Sequence, residues 1–167
     1  GIYLDEGSTE ILVEKNLVYD CSSQPFHQHY GRDNMIRNNI FAFGGDGAFR
    51  ISRDEEHNSL FLEKNILVTD NKVMYWHTIS EDWFVDDSNL YWDYGNRVVY
   101  SGWSMKLGDR KDIVNMVGRG YYNNAVFADP IFKDAENRDF TLAENSPALE
   151  TGFTPWEYKA GTPYNFE

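Results

Sequence analysis

Cysteine is almost absent from this sequence: Cys21 is the only one, so no internal disulfide can form and the fold does not depend on oxidation. Positive charge is scarce. Fifteen Lys and Arg face 27 Asp and Glu, a formal net charge of −12, which argues against nucleic-acid phosphates or anionic lipid as partners. No apolar run approaches the ~18 residues needed to cross a membrane as a helix. What is abundant is apolar and aromatic side chain, 41% and 16% of 167 residues, enough for the core of one domain.

That apolar content is periodic. Ile11 to Tyr19 reads Ile-Leu-Val-Glu-Lys-Asn-Leu-Val-Tyr, a short apolar strand, an asparagine, then a second apolar strand. The pattern returns at Asn34 to Phe43, Leu60 to Val68 and Trp83 to Trp92. Its asparagines, Asn16, Asn39, Asn65 and Asn89, stand 23, 26 and 24 residues apart. A period in the low twenties means stacked units, none of which buries its hydrophobic face alone. Helical repeats are longer, the leucine spacing of leucine-rich repeats is missing, and the units are rich in Val, Ile, Phe and Tyr. The expectation is an all-β, right-handed parallel β-helix of four to five coils, the hand following the general bias of parallel crossovers. Regular coils would occupy residues 1–100. Residues 101–167 would hold an irregular excursion, with Ser104 to Val117 as a short helix or loop. Final strands at Ala128 to Phe132 and Asp139 to Leu142 would follow, then a capping tail over the open end.

A second set of strands precedes the asparagine strands. Ile2, Phe26, Phe49 and Val73 form one column, and strand alternation sends Ile2, Leu4, Phe26, Phe49, Ile51, Val73 and Tyr75 inward. Tyr3, His27, Arg50 and Met74 then point outward as one ladder, with Asp5, His29, Ser52 and Trp76 as the next. Gln28 is buried by this register and needs partners. The asparagines themselves read as a structural ladder inside a turn.

The outward face carries the candidate chemistry. His27 and His29 share one side of a strand, roughly 6.5–7 Å apart. Such a pair could begin a zinc site, though no third ligand stands out, or sit solvated without a role. Asp5 stacks one coil from His29 and Tyr3 one coil from His27, so acid, imidazole, phenol and guanidinium converge as in acid–base sites. Asp5, Glu6, His27, His29, Glu55 and Glu56 are the candidate catalytic residues, with no metal or cofactor required. Two carboxylates are what glycoside hydrolysis uses, ~5 Å apart for retention and ~6.5–9.5 Å for inversion. Glu55 and Glu56, in the charged excursion 53–58, read equally well as a solvated run. Tyr3, Tyr30, Arg50, Arg53, His57 and Trp76 are candidate substrate contacts, Trp76 as a sugar platform; Trp83, Tyr91, Trp92 and Trp103 read as core or cap.

Several stretches resemble a family. Gly-Ile-Tyr-Leu-Asp-Glu-Gly-Ser-Thr at 1–9, Phe-His-Gln-His-Tyr-Gly-Arg-Asp-Asn at 26–34 and Arg-Asn-Asn-Ile-Phe-Ala-Phe at 37–43 are similar to bacterial parallel β-helix proteins of the pectate-lyase-like superfamily. So are Arg53 with Glu55-Glu56-His57, Asn-Leu-Tyr-Trp at 89–92, and Phe-Ala-Asp-Pro-Ile-Phe through Ser-Pro-Ala-Leu at 127–149. Larger members look like glycoside hydrolase family 141 enzymes, which include α-L-fucosidases and xylanases. The resemblance implies a secreted or periplasmic protein whose partner is a polysaccharide or oligosaccharide, acting as a hydrolase. A lyase, which would use Ca²⁺ or a strong base near Arg50 or Arg53, and a non-catalytic glycan-binding or structural segment are the alternatives. Because Gly1 leads straight into a coil, the chain reads as the C-terminal part of a longer β-helix, with exposed coil edges open to end-to-end self-association.

Overall fold

The computed structural model describes residues 1–53, 55–77, 81–95, 100–102, 110–112, 117 and 120–158, with backbone only at 77, 81, 100–102 and 110–112. The expected helix or loop at Ser104 to Val117 and the role given to Trp103 lie almost wholly outside these residues.

The chain winds as a parallel β-solenoid of about four turns, each contributing one short strand to each of three sheets. The first sheet stacks Ile2–Leu4, Phe26–Gln28, Phe49–Ile51, Tyr75–His77 and Tyr100–Gly102, all parallel, and Arg110–Asp112 closes it antiparallel. The second stacks Leu12–Glu14, Asn34–Arg37, Leu60–Glu63 and Val85–Asp87. Leu17–Tyr19, Ile40–Ala42, Ile66–Thr69, Leu90–Asp93 and Val126–Phe127 make the third.

The asparagines lie in the turn between the second and third sheets, as the repeat demands. The residue before each one, Lys15, Asn38, Lys64 and Ser88, takes left-handed φ of 53–57°, a bend that lets the next strand start in a new direction. Each asparagine then bonds to the coil beyond it. Asn16 donates its backbone N–H and its Nδ2 to Asn39 Oδ1, both at 2.9 Å; Asn39 does the same to Asn65, and Asn65 to Asn89. Their second amide hydrogens reach strand carbonyls such as Arg37 O and Glu63 O. Asn39, Asn65 and Asn89 are fully buried, and the ladder satisfies backbone groups that the turn would otherwise leave bare.

Inward side chains stack in columns. Val13, Ile36 and Leu62 come from the second sheet, Phe26 and Phe49 from the first, Phe41 and Leu67 from the third. Gln28 joins them at 0% exposure, and its partners are found. Its Nε2 donates to Ser59 Oγ at 2.7 Å and its Oε1 accepts from Asn34 Nδ2 at 3.0 Å.

The expected register of the first sheet fails at one point. Phe49 pairs with Tyr75, two positions beyond Val73. The longer excursion after Ile51 carries everything downstream of it forward by two residues. A shift of two preserves inside and outside, so Tyr75 is buried as expected. Met74, however, is fully buried rather than outward, and Trp76 takes its place next to Arg50.

The C-terminal segment also departs from expectation. Phe132–Asp134 and Asp139–Leu142 do form an antiparallel hairpin. Yet the hairpin and residues 146–158 run along the side of the third sheet, while residues 159–167 of the expected capping tail lie outside the described residues. Outward-facing Ile40, Ala42, Ile66, Val68 and Leu90 pack with Phe132, Phe140, Ala148 and Phe153 into a second core. Asn38 fastens the tail, exchanging hydrogen bonds with Thr154 of 2.8 and 2.6 Å. This cover explains why Ile40–Ala42 and Ile66–Thr69 are buried on both faces. At the other extreme, the first coil pairs on one side only, leaving Tyr3, Ile11, Leu12 and Tyr19 exposed.

Candidate functional site

The outer face of the first sheet carries one continuous row. Tyr3 pairs with His27, His27 with Arg50 and Arg50 with Trp76. The Tyr3 and His27 rings lie 4.8 Å apart, and the Arg50 guanidinium sits 4.1 Å above the Trp76 ring. Among the described residues no carboxylate pairs with Arg50. In a chain of net charge −12, that guanidinium is held by an aromatic ring.

Beside this row lies a second set of groups. Ser52 Oγ stands between the two imidazoles, 2.8 Å from His27 Nε2 and 3.0 Å from His29 Nδ1. The far nitrogen of His29, Nε2, is 3.8 Å from Glu6 Oε1. Tyr30 packs against His29 at 5.3 Å and receives the Arg53 guanidinium at 4.3 Å, which brings the start of the excursion to this face. Within the excursion Glu55 pairs with His57 at 3.3 Å. Glu56 is exposed and makes no contact that ties it to the row.

Asp5 is expected to stack one coil from His29, but it does not hydrogen-bond to it. Asp5 instead accepts from Tyr3 Oη at 2.9 Å, because Tyr3 lies two residues back on the same face, while His29 turns to Ser52. The backbone N–H of Glu6 and the Tyr3 hydroxyl hold Asp5 below the usual carboxylate range, and His29 and His27 add to this from across the coil. Burial, with Arg50 and His29 nearby, pushes His27 down to about 4, so it is a neutral imidazole at neutral pH. Among the described residues no group of three or more His, Cys, Asp and Glu is arranged to hold a metal ion.

Two features escaped the sequence reading. Ser52 was placed in the outward ladder but given no task, since a lone serine carries no pattern. Asp86 was not singled out at all. It occupies the inward column of Val13, Ile36 and Leu62, a parity that would have flagged it. Its Oδ2 accepts from Tyr75 Oη and, at 2.5 Å, from Tyr91 Oη; its Oδ1 accepts from Asn89 Nδ2 at 3.0 Å. Burial raises Asp86 to about 6 despite the hydrogen bonds from Tyr75, Tyr91 and Asn89 that pull the other way. A pocket of about 260 Å³ lined by Phe84, Asp86, Tyr121 and Tyr122 lies beside it.

Compared with protein-family models, curated proteins and solved structures, the chain matches none.

Proposed function

We propose that this is a carbohydrate-active β-helix of right-handed winding, related to the pectate-lyase-like group, and that the first sheet's outer face binds an oligosaccharide. The observation that carries the reading is the row Tyr3, His27, Arg50, Trp76. It sets aromatic faces and polar donors at successive strand spacings, about 4.8 Å each. Sugar rings present C–H faces that lie on aromatic rings and hydroxyls that need hydrogen-bond partners, and the row offers both. Tyr30 with Arg53 widens the same surface.

Glycosidic cleavage is the reaction that fits the carboxylates here. Asp5 is held ionised beside His29 and Glu6, a state suited to a nucleophile or base, and Glu55, from the excursion that Arg53 brings to this face, would have to supply the proton. A panel of fucosylated, xylan-derived and pectin-derived oligosaccharides tests both parts. Saturable binding lost in Trp76→Ala supports the site. Reducing ends released without a rise in ultraviolet absorbance identify a hydrolase, reducing ends with that rise, from an unsaturated product, identify a lyase, and binding alone identifies a glycan-binding module. No binding by any member of the panel overturns the reading. Secretion and end-to-end association through the open first coil belong to the same proposal, the second checked by sedimentation across a concentration range.

A further inference from the structure

Ser52 is, among the described residues, the one hydroxyl on this face held between two imidazoles, and glycosidic cleavage gives it nothing to do. Its oxygen carries a single proton, so at most one of the two contacts is a donation from Ser52. At least one of them is therefore an N–H donated to it. Glu6 beside His29 Nε2 favours the proton on that nitrogen, which leaves the Nδ1 lone pair facing Ser52 Oγ. His27 Nε2 is then the donor. A serine hydroxyl aimed at an imidazole, whose far nitrogen faces a carboxylate, is the arrangement of an activated nucleophile.

We propose that Ser52 is the nucleophile of an ester-cleaving site on this face, with His29 as general base, acting on small O-acyl esters carried by a saccharide. The ester chemistry rests on the Ser52 geometry, and the saccharide part rests on the function proposed above. Ser52 Oγ attacks the acyl carbonyl carbon while its proton passes to His29 Nδ1, and the carbonyl π pair moves onto oxygen. His27 Nε2–H and the positive charge of Arg50 stabilise that oxyanion. Collapse breaks the bond to the sugar oxygen, which leaves with the proton from His29 and regenerates a free hydroxyl. Water then gives a proton to His29, attacks the acyl-serine, and releases the carboxylic acid as Ser52 recovers its proton. Ester and water are consumed and acid and alcohol formed, with no further reactant. Ser52 is only 6% exposed, which restricts the substrate to a small acyl group such as acetyl. Glu6 acts only through His29 and is a positioning residue.

The test uses the full 167-residue chain. A fluorophosphonate probe with peptide mass mapping reads nucleophilicity, and hydrolysis of 4-nitrophenyl acetate reads turnover. Labelling at Ser52 is expected, with turnover that falls to the buffer rate in Ser52→Ala and about 100-fold or more in His29→Gln. Glu6→Gln should lower kcat about tenfold at unchanged KM. Ser52→Cys, alkylated by iodoacetamide faster than Cys21, keeps the test open if Ser52→Ala misfolds. An unlabelled Ser52, or turnover equal in wild type and Ser52→Ala, overturns the proposal. Acetylated and deacetylated forms of one oligosaccharide separate the two readings. Binding without labelling leaves the saccharide site and removes the esterase; labelling without saccharide binding does the reverse.

Discussion

Asp5 and Asp86 are both aspartates hydrogen-bonded by tyrosine, and they titrate in opposite directions. Asp5 lies outside the solenoid, takes one phenol and stays below the usual carboxylate range. Asp86 lies inside the last regular coil, takes two phenols and an amide, and is raised to about 6. The difference is water. Outside, each hydrogen bond adds to a charge that is already solvated; inside, three of them do not compensate for the lost solvation. The inner cluster terminates the asparagine ladder, Asp86 taking the amide proton of Asn89. The outer row keeps its polar groups accessible to a ligand.

The largest effect expected from breaking this contrast is at Asp86. Asp86→Ala removes the acceptor that the Tyr75 and Tyr91 phenols share with the Asn89 amide, leaving the phenols to each other and the amide to Leu62 O, and should cost about 3 kcal/mol in urea unfolding. Asp5→Ala, on the exposed side, should leave the urea midpoint almost where it is. The ladder offers the same contrast along its length. Asn65→Ala strands the Asn39 N–H in the core and should cost about 2–3 kcal/mol, whereas Asn16→Ala, at the open coil, should cost under about 1 kcal/mol.

The pH dependence of stability sharpens the comparison further, because inner and outer groups act in one window with opposite sign. Asp86 is raised from 3.8 to about 6, so between those values the folded state holds a proton that the unfolded state has lost. Its contribution falls as pH rises through about 6. His27 is lowered from 6.5 to about 4, so the unfolded state holds the extra proton. Its contribution is present above pH 6.5 and is lost as pH falls through about 4. Wild type should show a muted slope between pH 4 and 6.5. Asp86→Asn should become more stable with rising pH across that window and His27→Gln less stable, read by urea midpoints. The smallest stability effect is at Trp76: Trp76→Ala should move the midpoint little while weakening saccharide binding about tenfold or more.

Much of the fold was legible because the asparagine repeat and strand parity are properties of the sequence. Gln28 was flagged by parity alone, and its buried partners were then found. Parity was also what misled at Val73. With Val73 and Tyr75 both apolar, a two-residue shift leaves the pattern unchanged, and only the length of the excursion decides it. The lateral cover was illegible because Phe132, Phe140 and Phe153 follow no period, and a third sheet buried on both faces looks like any apolar strand. In the candidate site, Tyr3, His27, Arg50 and Trp76 meet on one row, while the Asp5–His29 bond does not form. A near neighbour, Tyr3, competes better for Asp5 than a group one coil away.

The central claim is that the outer row, and not the pocket beside Asp86, meets the ligand. Side-chain NMR during titration with the oligosaccharide panel measures both places at once. The imidazole resonances of His27 and His29 and the indole of Trp76 should shift saturably with one affinity, while the ring resonances of Tyr121 and Tyr122 stay fixed. Saturable shifts confined to Tyr121 and Tyr122, or none at the row with any saccharide, would contradict it.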